Sequence, residues 1–250
     1  AQPEAEPAAS TALRILVAED NPVNQELTRA MVEKGGHTCE LAENGREAIA
    51  MVRMAEKKGE PFDLVLMDMQ MPVLDGIGAT TAIRWAGVSP GKLPIVAVTA
   101  NAYADDIRQC RAAGMQGHLA KPLRMKDLMK AIAQWTGTSQ GGGGQPPAAA
   151  KAANTSPRLR KMFADRLTMT LKAIAAARDD ETIDDAARAG IGSLLHQIAG
   201  TAAHFGAEEL GRQCLETEKA LLACKQEPEM RAMIDIIAEK IERESAALAA

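Results

Sequence analysis

Aromatic side chains are nearly absent from this chain: they make up 2% of 250 residues, with two Trp, one Tyr and three Phe. Only Phe163 and Phe205 are available to the carboxyl-terminal half, so its core must be aliphatic, with Met, Ala and Cys filling gaps. Paired cysteines are missing as well. Cys39, Cys110, Cys214 and Cys224 form no CxxC pair and the four histidines do not cluster with them, which excludes a zinc site and a disulfide framework and fits a reducing cytoplasm. There is no long basic run, the net charge is -4 and the pI is near 5.7, so the electrostatic footprint of a nucleic-acid or anionic-membrane binder is lacking. Protein partners are the default. No apolar run is long enough to span a bilayer, and the acidic, proline-bearing start Ala1-Gln-Pro-Glu-Ala-Glu-Pro has none of the basic and apolar regions of a signal peptide. The missing initiator Met implies processing or, the preferred expectation, excision from a longer polypeptide to which residues 1–12 were a linker.

What is present divides in two. From Arg14 to Trp135, short β-branched runs (Arg14-Ile-Leu-Val-Ala, Leu64-Val-Leu-Met, Pro94-Ile-Val-Ala-Val) alternate with helix-like stretches near 22–34, 45–58, 76–86, 103–112 and 125–135. Weaker strands fall near 38–42 and 117–119. Such alternation predicts an α/β doubly wound (βα)5 domain over 13–136. Residues 137–156, with glycines at 141–144 and only small or polar neighbours, predict a flexible linker; its 20 residues span about 25 Å as a coil. Beyond it, apolar residues recur at three and four along four amphipathic segments: Leu159 to Ile174, Ile183 to Phe205, Leu210 to Cys224 and Met230 to Ile241. Short separators around Asp179–Glu181, Gly206 and Glu227–Pro228 predict an all-α four-helix bundle over 157–250.

Chemistry concentrates at the strand ends. Glu19 and Asp20 follow the first strand, Asp68 ends the third, Thr99 ends the fourth and Lys121 follows the fifth. Ligand sites of open parallel sheets lie at the carboxyl edge of the strands, so these residues should converge. Three carboxylates at one edge repel one another unless a cation sits among them, and oxygen-only ligands suit Mg²⁺. Asp68 could then act as a nucleophile toward a phosphoryl group, with Lys121 and Thr99 meeting its oxygens and the backbone carbonyl of Gln70 as a further metal ligand.

Val17-Ala-Glu-Asp-Asn-Pro-Val-Asn-Gln, Ala42-Glu-Asn-Gly-Arg-Glu-Ala, Met67-Asp-Met-Gln-Met-Pro-Val-Leu-Asp-Gly, Val98-Thr-Ala-Asn-Ala and Ala120-Lys-Pro-Leu resemble the receiver domain of response regulators, in the wording of receivers attached to hybrid sensor histidine kinases. The resemblance implies that Asp68 is the phosphoacceptor, Glu19 and Asp20 the metal pair, Thr99 and Lys121 the switch residues, and Lys121-Pro122 a peptide that is often cis. His118 stands where such receivers commonly carry Tyr or Phe.

In the second helical segment, a wheel at 100° per residue puts Ile183, Ile191, Leu194, Ile198 and Phe205 on one side and His196 almost opposite, so His196 is expected to face solvent. Ala189, Gly192, Ser193, Ala199, Gly200 and Ala203 share its side. A glycine inside a helix costs about 1 kcal/mol relative to Ala, so two of them need a reason. Access of another protein's acidic pocket to the imidazole is one; close helix packing is the other. His196-Gln-Ile-Ala-Gly-Thr-Ala-Ala-His-Phe-Gly-Ala resembles the signature of histidine phosphotransfer (Hpt) domains, which would make His196 a second phosphoryl carrier. The family usually has Lys or Arg three residues after this His, where Ala199 stands here. Glu208, Glu209, Glu216 and Glu218 with Arg212 and Lys219 are expected to form a solvated helix face, Cys214 and Cys224 to lie on the apolar stripe, and His204 to sit at the rim or partly in the core.

The resemblances together imply a phosphorelay segment, similar to the carboxyl-terminal part of a hybrid sensor histidine kinase. Its partners would be an upstream kinase core, in the same parent chain or another, and a downstream response regulator or Hpt protein. A cytoplasmic location is expected, whether or not the parent is anchored in a membrane. Two alternatives stand beside it: an Hpt-like unit that only docks, and a Mg-dependent aspartyl phosphohydrolase, which Gln70 disfavours because such enzymes place a second Asp two residues after the nucleophile.

Overall fold

The computed structural model describes residues 12–100, 104–137, 156–180 and 182–249; residues 1–11 and 138–155 of the two expected linkers lie outside the described residues. Two compact units result, divided between Ala148 and Ala149. Among the described residues no helix is long and apolar enough to cross a membrane.

In the first unit the β-branched runs become β1 (Arg14–Ala18), β3 (Leu64–Asp68) and β4 (Ile95–Thr99), with β2 (Thr38–Ala42) and β5 (Gly117–Ala120) completing a five-stranded sheet of order β2-β1-β3-β4-β5. All four pairings are parallel. Alternate side chains leave opposite faces of a strand. Leu16 and Ala18 of β1, with Val65 and Met67 of β3, therefore enter one core, while Ile15, Val17, Leu64 and Leu66 enter the other. The first core is covered by α2 (Gly45–Lys58), α3 (Gly76–Trp85) and α4 (Ala104–Ala113), the second by α1 (Pro22–Lys34) and α5 (Met125–Thr136). Each of these fully buried Leu or Ile side chains contributes roughly 1.5–3 kcal/mol. The edge strands β2 and β5 are only partly covered, which accounts for their weaker apolar signal.

Local chemistry sets the helix starts. Asn21, Asn44 and Asp75 cap α1, α2 and α3, accepting from the backbone N–H of Val23, Glu47 and Gly78. Gly76 begins α3 directly against the end of β3: a Cβ there would lie 2.2 Å from the Asp68 carbonyl oxygen, so no larger residue fits.

The second unit consists of α6 (Pro157–Asp179), α7 (Asp185–Thr201), a 3-10 turn (Ala202–Phe205), α8 (Glu208–Ala223) and α9 (Glu227–Ala249). Its core is aliphatic apart from Phe163, whose ring stacks on Phe205 at 4.4 Å. Three expectations need correction. Ile183 is buried but precedes α7, and Phe205 lies in the 3-10 turn that follows it. Leu195, not Leu194, is the leucine buried in the core, because the position four after Ile191 falls closer to the apolar axis than the position three after it. Pro228 lies within the first turn of α9, where its missing N–H costs nothing, so Cys224 to Gln226 separate the last two helices.

Candidate functional sites

The switch point of the strand order lies between β1 and β3, and the acidic residues gather there. Asp68 is the last residue of β3 and is 2% exposed; Glu19, directly after β1, is 4% exposed, and Asp20 is half-buried. One carboxylate oxygen from each of the three lies within 4.8 Å of the others. The Lys121 backbone N–H donates to the Thr99 carbonyl (2.8 Å), extending the β4–β5 ladder by one residue and delivering the lysine to the same edge. Its ammonium donates to Glu19 Oε2 at 2.8 Å and to Asp68 Oδ2 at 2.7 Å. The Lys121-Pro122 peptide is cis. Thr99 is buried one residue beyond Val98, the register partner of Asp68. The Gln70 backbone N–H donates to Asp68 Oδ1 (3.2 Å). All the residues singled out at the strand ends are thus at one edge, and His118 is exposed on β5.

The electrostatics follow from burial. Burial pushes the Glu19 carboxyl above its ordinary range, as does nearby Asp68, against the pull of Lys121. For Lys121 burial acts downward, but attraction to Asp68 and Glu19 outweighs it and the ammonium is held above the usual lysine range. A cation among the carboxylates was expected on repulsion grounds, and the chain's own ammonium is one. The donor set, three hard carboxylates, also fits a divalent cation such as Mg²⁺.

His196 does not face open solvent. Its side chain is 11% exposed, and Nδ1 lies 3.0 Å from Oε2 of Glu218 on α8, itself 10% exposed. The physical reason is the packing of α7 on α8. A Cβ on Gly211 would meet the Ala199 carbonyl at 3.3 Å, and one on Gly192 would meet Leu222 at 3.4 Å. Small residues on this side bring the two helices together, so at Gly192 and Ala199 close packing explains the missing bulk. Glu218 accordingly leaves the solvated face it was assigned to. Three other charges of α8 pair on the surface, with Arg212 bonded to Glu209 and Glu216 at 2.5 Å. Arg188 is held by the Cys224 carbonyl and Asp185, so neither arginine serves His196. Cys214 is in the core and its thiol is pushed up to about 12, chiefly by burial and then by Glu218, whereas Cys224 is only partly buried at the end of α8. His204 is partly buried, which lowers its pKa.

Glu218 is the partner of His196 that the sequence pattern hid. A carboxylate oxygen can only accept, so this contact favours the neutral tautomer with its proton on Nδ1 and its lone pair on Nε2, on the far side of the imidazole. Glu218→Ala should therefore slow phosphoryl transfer at His196 by roughly 100-fold through loss of tautomer and orientation, with Glu218→Gln retaining a partner and losing less. Rapid-quench measurement of phosphohistidine formation checks this; equal rates in all three proteins would remove Glu218 from the site.

The chain is similar to known proteins in both units. Residues 15–133 match the model described as response regulator receiver domain, and residues 158–249 match the Hpt domain. The sensor histidine kinase GacS of Pseudomonas protegens is 32% identical over 88% of this chain and 25% of its own length. The sensor histidine kinase AruS of Pseudomonas aeruginosa is 33% identical over 86% of this chain and 22% of its own. The chain thus spans about a quarter of the length of these relatives. A crystal structure of a sensor histidine kinase receiver domain from Pseudomonas aeruginosa, with a magnesium ion coordinated in its active site cleft, is 40% identical with a TM-score of 0.45, covering 51% of this chain and all of that one.

Proposed function

Because the chain belongs to the response regulator receiver family in its first unit and to the Hpt family in its second, we propose that it is a two-station phosphorelay module, with Asp68 as the first station and His196 as the second. Residues 13–136 and 157–250 act as the two stations and 137–156 as their tether. A phosphohistidine of an upstream kinase core, in the same parent chain or another, is the donor; a downstream response regulator is the final acceptor. The observation that carries this reading is the cluster of Asp68, Glu19 and Asp20 with Lys121 Nζ 2.7 Å from the Asp68 carboxylate.

An Asp68 oxygen forms a bond to phosphorus as the donor's N–P bond breaks; the donor imidazole keeps the electron pair and takes up a proton. The amide N–H of Gln70 and the ammonium of Lys121 hold the carboxylate in one orientation. Lys121 would also meet charge on the transferred oxygens, and the Thr99 hydroxyl would hydrogen-bond to one of them. Glu19, Asp20, Asp68 and the Gln70 carbonyl would hold Mg²⁺, which when bound offsets charge on the phosphoryl oxygens. In the second step Nε2 of His196 attacks phosphorus, the acyl P–O bond breaks and the Asp68 carboxylate is regenerated. Glu218 keeps Nε2 unprotonated for that step. The location of this work is cytoplasmic.

A second reading keeps the receiver active and makes the Hpt unit a docking surface. Ala199 in place of a cation and the 11% exposure of His196 favour it. Incubation with acetyl phosphate and Mg²⁺ separates the two. The relay gives an alkali-labile acyl phosphate and an acid-labile, alkali-stable phosphohistidine; His196→Ala loses the second and Asp68→Ala loses both. If phosphohistidine forms neither from the small donor nor from a phosphorylated partner, the docking reading replaces the relay. Turnover of a phosphoester would instead support a phosphohydrolase, which Gln70 disfavours by standing where those enzymes place a second Asp.

A further inference from the structure

Two neutral amides are buried where α1 passes the acidic pocket. Asn24 and Gln25 are 6% and 8% exposed, in the first turns of a helix whose other inward positions include Val23 and Val32. A buried amide costs roughly 2–7 kcal/mol unless it is hydrogen-bonded, so such residues mark a partner that needs them. Both point at the same residue. Asn24 Nδ2 donates to Glu19 Oε1 at 3.1 Å, and Gln25 Nε2 donates to the Glu19 backbone carbonyl at 2.6 Å. The Asn21 backbone N–H adds a third bond, to Oε1 at 3.2 Å. Oε1 is thereby occupied, and Oε2 is bonded to the Lys121 ammonium that also holds Asp68.

From this arrangement we infer that Asn24 and Gln25 are positioning residues that present Glu19 to a divalent cation in the pocket. The choice of side chain supports a role beyond filling space. A Lys or Arg on this turn of α1 would also have paired with Glu19, but it would have cancelled the charge a cation needs. An apolar residue would have taken one donor from Oε1 and left it the Asn21 backbone N–H. Neutral donors hold the carboxylate without adding a second cation to Lys121. The inference rests on the pocket being a metal site, as proposed above, and concerns how strongly that site binds rather than whether it exists.

Calorimetric titration of MgCl₂ into the full chain tests it, with thermal melting in metal-free buffer as a companion measurement. Asp20→Asn serves as the pocket control and must weaken binding strongly. Asn24→Leu, close in volume but without the donor, is expected to raise the Kd for Mg²⁺ about tenfold, as loss of a partner to a metal ligand usually does. Gln25→Leu should raise it by a smaller factor, and Asn24→Gln, which restores an amide, should recover part of the loss. A purely structural role would lower the melting temperature of Asn24→Leu and leave its Kd within twofold of wild type; that result overturns the inference while the metal site stands. Should Asn24→Leu not fold, Asn24→Ala and Gln25→Ala carry the same comparison with the same criterion. Absence of binding heat in the wild type would remove the metal site and the inference together.

Discussion

Lys121→Met will destabilise the first unit by about 3–5 kcal/mol at neutral pH without divalent cations, because it leaves buried charge uncompensated. Met keeps most of the stem volume, so the loss is electrostatic. Glu19 and Asp68 would be left within 4.8 Å of each other and of Asp20 with no ammonium between them. The pH dependence has a definite sign. A carboxyl raised in the folded state binds more protons folded than unfolded, so its contribution to stability falls as pH rises through the raised value. Removing Lys121 raises Glu19 further, and the deficit of the variant should be largest above that range and shrink as the pH is lowered through it. Millimolar Mg²⁺ should recover part of the deficit at neutral pH. Urea unfolding at several pH values gives the answer, and a metal-free midpoint equal to wild type at neutral pH would show that Lys121 does not hold the pocket together.

Gly76→Ala carries the second large effect, and it reaches Asp68 through the backbone. The added Cβ would lie 2.2 Å from the Asp68 carbonyl oxygen and 3.0 Å from Met67 Cγ, so either α3 or the end of β3 must move. Strain of this kind costs about 1–3 kcal/mol when side chains can yield, and here the obstacle is main chain. A displacement of about 1 Å at a reacting group can reduce its rate roughly 100-fold. Gly91→Ala is the matching control, since nothing lies within 4 Å of its Cβ and its backbone is not left-handed. Phosphorylation of Asp68 by acetyl phosphate, followed in both variants, should separate them; similar rates would mean that the close contact at Gly76 has no bearing on the nucleophile.

The first unit was legible because its signals are local. A β-branched run followed by an acidic residue fixes both a strand and the group at its end, and parallel order then carries the ends of β1, β3, β4 and β5 to one edge without any further information. The second unit was legible in its helices and not in their contacts. A face without bulk was read as open, yet small residues are also what lets two helices approach, and Gly192, Ala199 and Gly211 do that. In the sequence, Glu218 looks like one of a row of solvated glutamates. Its signal was present: four residues after Cys214 and three before Leu221, both fully buried, it borders the apolar stripe of α8 and should have been asked for a partner. Asn24 and Gln25 are legible only as the end of the receiver-like stretch that starts at Val17, because an amide in the first turn of a helix is ordinary until its partner is known.

The buried clusters of the described residues divide cleanly, one running from Phe163 to Ile241 and two from Leu13 to Ile132, with no residue in common. A coding sequence of this kind can be cut and rejoined between its halves without opening either interior. On the relay reading proposed above, the two stations are separable cassettes, and duplicating or reordering them would change the order of transfer without redesigning a folded unit.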